Sequence, residues 1–150
     1  MEWTSATKKI IDEIALSSVA DVLQRNAARI QRHPGYAGEL RFATLELLHE
    51  LWPPAPEESD MDYFSMVDRD IDKIPTDLLE DLSGSLTRVA SRVQAEDRVA
   101  SAASSLLAGW FKARSVELHG AEPLRRTAAR LKQDYAHLIG RLLQESRIFA

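Results

Sequence analysis

Between Thr76 and Phe149 the chain carries a stripe that steps alternately by four and three residues. It reads Leu82, Leu86, Val89, Val93, Glu96, Ala100, Ala103, Leu107, Trp110, Arg114. After His119-Gly120 it resumes as Leu124, Ala128, Leu131, Tyr135, Leu138, Leu142, Glu145, Phe149. Residues at those steps share one helix face, and a seam of that length is satisfied by a second helix. The spacing therefore predicts an antiparallel helical hairpin, 76–119 and 122–149, that turns around Ala121. In that register Trp110 faces Leu131, Leu107 faces Tyr135, Ala103 faces Leu138, Ala100 faces Leu142 and Val93 faces Phe149. Small residues then oppose large ones, which lets the layers interdigitate. One layer breaks the pattern by setting Glu96 against Glu145. Facing carboxylates repel or share a proton in a dry seam, so this layer is expected to be wet and paired to Arg92 and Arg141, each four residues earlier.

The turn chemistry points the same way. Gly120 suits a left-handed helix cap, and Pro123 suits the first turn of the next helix. At the other end Asp77 and Glu80 have capping-box spacing after Pro75. Gly84 and Ala95 mark two places where the 76–119 stretch can break, because interior glycine costs a helix about 1 kcal/mol relative to alanine.

Upstream, 3–30 reads as one helix capped by Thr4 or Ser5, with Ile10, Ile11, Ile14, Val19, Leu23 and Ile30 at helical spacing. Residues 31–38, with His33-Pro34-Gly35, read as a loop. Residues 39–52 form a second helix so apolar all round that a central, buried position is expected. Pro53-Pro54-Ala55-Pro56 ends it. The stretch 53–75 is an acidic connector, in which Met61, Tyr63, Phe64, Met66 and Val67 make a short helix that either folds over the core or docks a partner. Together these elements describe one all-α domain over 1–150, a four- to five-helix bundle built on the long hairpin. The last helix ends opposite Val93, so Leu78, Leu79, Leu82, Leu86 and Val89 are a surplus. They pack on the first two helices, on another chain, or on the rest of a broken hairpin.

Charge and composition narrow the function classes. The net charge of −4 hides an asymmetry. Residues 57–81 carry two Lys/Arg against ten Asp/Glu, whereas 82–150 carry eleven against six. That is not the balance of a dedicated nucleic-acid binder, which is basic overall. With no cysteine there is no disulfide, thiolate zinc site or cysteine nucleophile. No apolar run suits a signal peptide or a bilayer span, so a cytoplasmic protein without a membrane role is expected.

Motifs for chemistry fail on spacing. Glu46-Leu-Leu-His49 is the Glu-x-x-His step of di-iron bundles, and Asp134-Tyr-Ala-His137 echoes it. Its nearest acidic complement, Glu13, falls about 15 Å away along the helix axis. Asp68-Arg-Asp70-Ile-Asp72 starts like a calcium loop but has Lys73 and Leu79 where glycine and glutamate are needed. No phosphate loop, nucleophile elbow or His-Glu-x-x-His motif occurs. Arg25, Arg29 and Arg32 lie on one helical face with Arg41 nearby, a set that can hold a phosphate or a nucleic-acid backbone, or simply complement a helix C-terminus. The reading favoured here is a non-catalytic adaptor that binds another protein, itself a homodimer, through Leu78, Leu82, Leu86 and Val89 or through Met61, Tyr63 and Phe64. A helical nucleic-acid-associated protein is second, and a metal- or small-ligand-binding bundle third. No cofactor, catalytic residue or metal ligand is assigned.

Overall fold

A computed structural model describes residues 4–56 and 59–144. Among these the chain is all-helical, a bundle of six α-helices and one 3-10 turn. The helices are α1 (Ser5–Arg32), α2 (Pro34–Leu51), α3 (Asp60–Asp70), α4 (Thr76–Val93), α5 (Arg98–His119) and α6 (Leu124–Gln144), and the 3-10 turn Ile71–Lys73 follows α3. Three side chains cap as their types demand. Thr4 accepts from the Thr7 N–H, Ser59 from that of Asp62, and Asp97 from that of Ala100.

The centre of the bundle is α5, not the helix over 39–52. Eight of the ten residues 100–109 are Ala, Ser or Gly, and small side chains let neighbours approach from several sides at once. Twelve of the helix's residues are buried, Trp110 and Phe111 among the largest. Helix α2 buries Ala37, Leu40, Thr44, Leu45 and Leu48 but leaves Phe42 exposed, so its wide apolar surface is only partly used. It also starts earlier than its periodicity suggests. His33 alone separates α1 from α2, and Pro34 opens α2, so the expected 31–38 loop is almost wholly helical. Proline at the first helical position loses no hydrogen bond, which is why the Pro-Gly pair starts a helix here.

The long stretch 76–119 breaks at 94–97, beside Ala95, and α4 folds back along α5. Ser83 Oγ donates to the Ala108 carbonyl at 2.9 Å and Ser101 Oγ donates to the Ala90 carbonyl at 2.7 Å, ties that fix the antiparallel register. Leu79 and Ala90 are buried against this neighbour, and Leu82 and Leu86 are half-buried. The surplus stripe thus finds most of its partner inside the chain. Glu96 lies exposed in the elbow, and Glu145 and Phe149 lie outside the described residues. The capping-box expectation for Asp77 and Glu80 does not hold: Pro75 is the cap residue and no side chain caps α4.

The α5–α6 hairpin is present, with its register close to the seam reading. Tyr135 packs on Gly109 and donates its hydroxyl to the Val19 carbonyl of α1 at 2.5 Å. Gly120 ends α5 in extended backbone (φ −72°, ψ 158°), not in the left-handed cap. Glycine is used there because a Cβ would lie 2.6 Å from the Val116 carbonyl oxygen. Beyond it Pro123 immediately precedes α6.

The acidic connector covers the bundle. Tyr63 and Phe64 are buried, at 1% and 6% exposure, and therefore do not form a docking strip; Met61 alone of the three is exposed. Phe64 stacks on Trp110 at 5.9 Å and lies over Gly140, while Tyr63 donates to the Trp52 carbonyl at 2.6 Å. The acids after α3 are tied down rather than free. Asp72 receives Lys132 Nζ at 2.7 Å and lies 3.4 Å from Arg114 Nε, and Arg114 also pairs with Glu117. Burial raises the pKa of Asp68 above the ordinary carboxylate value; Lys132 opposes the shift and Asp72 adds to it.

Candidate functional site

Two polar clusters sit where α1 and α4 flank α5, one at each end of the groove between them. Both α1 and α4 run antiparallel to α5. Residues early in α1 and α4 therefore meet the end of α5, and residues late in them meet its start.

At the first end Asp12, Glu80, Ser115 and His119 converge. His119 Nε2 lies 3.8 Å from the Asp12 carboxylate and Nδ1 lies 3.8 Å from that of Glu80. Ser115 Oγ donates to Glu80 at 3.3 Å and is 3.4 Å from His119 Nδ1. Serine, histidine and carboxylate are the residue types of a nucleophile and its base. Ser115 is fully buried, however, out of reach of a substrate carbonyl. The cluster is a polar tie across three helices, and it explains why Asp12 is 4% exposed while Ile10, Ile11 and Ile14 around it face outward. Among the described residues no group of three His, Asp or Glu side chains is arranged to hold a metal ion. Glu46, His49, Asp134 and His137, the sequence's di-iron-like pairs, are all exposed, and His49 instead meets the Tyr63 ring edge-on at 5.0 Å.

At the second end the groove opens into a cleft of about 870 Å³. Its α1 wall carries Arg25 and Arg29, one turn apart. The opposite wall carries Arg92 from the last turn of α4 and Arg98 from the first residue of α5, on either side of the 94–97 elbow. Asn26, Ala90 and Ala102 form buried parts of its lining. Among the described residues no carboxylate and no aromatic ring lines it. None of the four arginines is paired with a carboxylate among the described residues; Arg25 Nε donates only to the Asp21 backbone carbonyl, at 3.4 Å. Asn26 is spoken for, since it donates to the Val22 carbonyl and accepts from the Tyr36 hydroxyl.

Sequence periodicity finds half of this set. Arg25 and Arg29 do share a face, and the structure puts that face on the cleft. Arg32 is exposed but does not line it. Arg41 belongs elsewhere, its Nε donating to the Leu143 carbonyl of α6 at 3.2 Å. Arg92 and Arg98 were missed. The available signal was two arginines flanking Ala95, one of the two marked helix breaks, with Ser91, Gln94, Ser101 and Ser105 around them.

The proposed self-association residues divide. Leu78 and Val89 are 48% and 37% exposed, and Leu82 and Leu86 are half-buried. Among the described residues no helix is long and apolar enough to cross a membrane. No protein-family model, no curated protein and no solved structure matches this chain.

Proposed function

We propose that this chain is a non-catalytic helical binding protein, and that its ligand presents phosphate or a comparable anion to the cleft between α1 and the α4–α5 elbow. One observation carries the reading: four guanidinium groups line a single cleft, and among the described residues no carboxylate lines it with them. Like charges gathered at one site repel, and an anion removes that repulsion. Arginine is also the side chain whose planar fork grips phosphate through two hydrogen bonds at once. The cleft sits on a molecule whose net charge is −4.

Thermal melts with added pyrophosphate at constant ionic strength test the reading. A ligand at a hundred times its Kd stabilises the fold by about 2.7 kcal/mol, which for a chain of this size is a Tm rise of roughly 5–11 °C. Arg29→Glu with Arg98→Glu reverses charge on both walls and abolishes the rise. Arg32→Glu, outside the cleft, leaves it intact. No shift with pyrophosphate or sulfate refutes the reading.

A second reading, self-association, is favoured by one specific observation. Ile10, Ile11 and Ile14 on α1 and Leu78 and Val89 on α4 stay exposed after the chain has folded. Exposed apolar side chains gathered on neighbouring helices mark interaction surfaces. Light scattering decides it: a dimer that Leu78→Glu with Val89→Glu converts to a monomer supports the α4 stripe, and a monomeric parent chain refutes it.

A further inference from the structure

We propose that the ligand of this cleft is a multiply phosphorylated, non-aromatic polyol rather than a nucleotide or a nucleic-acid strand; this rests on the reading of the cleft as an anion site. The charge is divided between two walls, Arg25 and Arg29 on one and Arg92 and Arg98 on the other. A phosphate near neutral pH carries close to two negative charges. Two pairs of arginines therefore match two phosphates, one per wall, and a single phosphate leaves one pair uncompensated.

The space between the walls is polar but not ionic. Ser91, Gln94 and Ser105 line it and have no hydrogen-bond partner among the described residues. Hydroxyl and amide groups both donate and accept, so they match a scaffold of hydroxyl groups. Thr87 and Ser101 are not available in the same way, because their hydroxyls already donate to the carbonyls of Ser83 and Ala90. The remaining contacts are small: Val22, Ala90, Ala95 and Ala102.

Two observations turn the cleft away from nucleic acid. Bases bound without sequence preference are held by stacking on aromatic rings, worth about 1–3 kcal/mol per base, and among the described residues no aromatic side chain lines this cleft. The groove also changes sign along its length. Asp12 and Glu80 lie at its other end, about 20 Å along α1 from Arg25. A strand that continued along α4 from the four arginines would meet the Glu80 carboxylate, whose side chain is half-exposed. A compact ligand occupies only the basic end, and a volume of about 870 Å³ falls within the roughly 300–1,000 Å³ typical of small-molecule sites.

Calorimetric titration tests this with five probes at one ionic strength: inositol hexakisphosphate, a hexose bisphosphate, pyrophosphate, ATP without magnesium, and a short single-stranded oligonucleotide. The two polyol phosphates are expected to bind at least about tenfold tighter than pyrophosphate or ATP, a margin of about 1.4 kcal/mol. Replacing Ser91, Gln94 and Ser105 together by alanine is expected to erase that margin while leaving pyrophosphate binding unchanged. These positions are exposed or half-buried, and the melting curve of the variant reports that it is folded. ATP binding as tightly as the polyol phosphates overturns the ligand class and leaves the anion cleft standing. So does an oligonucleotide that binds tightest with a steep salt dependence. Binding of none of the five, pyrophosphate included, overturns the cleft itself.

Discussion

Gly109 is the position at which a single methyl group should do most damage. It lies in the middle of α5, where alanine would ordinarily be preferred by about 0.8–1 kcal/mol. An added Cβ would sit on the Tyr135 hydroxyl, 2.5 Å from the ring carbon Cζ and 3.0 Å from Cε1. Comfortable non-bonded contacts are about 3.5–4.0 Å, so the ring must withdraw by roughly an ångström. It has nowhere to go, because Tyr135 is fully buried and its hydroxyl is anchored to the Val19 carbonyl. Overpacking of this kind costs about 1–3 kcal/mol, and loss of the hydrogen bond adds about 0.5–1.5 kcal/mol. Set against the helix-propensity gain, Gly109→Ala should destabilise by roughly 1–3 kcal/mol. At about 2–4 °C per kcal/mol for a chain of this size, the Tm falls by roughly 2–12 °C. Gly38→Ala is the matched control. Gly38 is also helical, but a Cβ there meets nothing within 4 Å, so the same substitution should stabilise by about 0.5–1 kcal/mol. Urea and thermal melts of the two variants read both signs. Adding Tyr135→Phe to Gly109→Ala removes the hydroxyl contact and keeps the ring, so the pair should cost less than the sum of its parts. Equal effects at Gly109 and Gly38, or strict additivity with Tyr135→Phe, would refute the packing argument.

Other substitutions test the remaining contacts. Ser83→Ala removes the buried bond to the Ala108 carbonyl and should cost about 0.5–1.5 kcal/mol in a urea melt, loosening the α4–α5 register. Asp68 has a folded-state pKa above its unfolded value, so its contribution favours the fold below the unfolded pKa and is lost as pH rises through the folded pKa. Asp68→Asn should therefore gain Tm relative to the parent near neutrality, and the gain should shrink as pH falls through the carboxylate range. A gain that grows toward acid pH contradicts the assignment. Burial also raises the Tyr135 phenol well above its ordinary value, so spectrophotometric titration should show it ionising only as the fold opens at alkaline pH, a step that Tyr135→Phe removes.

Much of the helical content was legible from periodicity because helix formation is a local matter. Thr4 as a cap, the stop at the Pro53-Pro54 pair and the pairing of α5 with α6 follow from neighbours within a turn or two, or from a hairpin's short reach, whereas local signals marked both Gly84 and Ala95 as breaks and did not choose between them. The 31–38 error has the same origin. A loop signal and a helix start both use proline and glycine, and only the backbone that follows separates them. Half of the cleft was legible for the same reason, since Arg25 and Arg29 share a face by spacing alone. Arg92 and Arg98 lie more than sixty residues further on, and no local pattern links them to α1.

The sequence by itself determined that this protein is all-helical and where most of its helices stop. Spacing, caps and breakers act over a few residues, and their energies do not depend on what lies across the core. Tertiary structure alone decided that α5, with its small residues, takes the centre in place of the more apolar 39–52 segment. It also decided that Tyr63 and Phe64 are core, and that four arginines from three helices line one cleft. Those outcomes depend on which faces can approach closely enough to exclude water, a property of shape shared among helices and written in no single one of them.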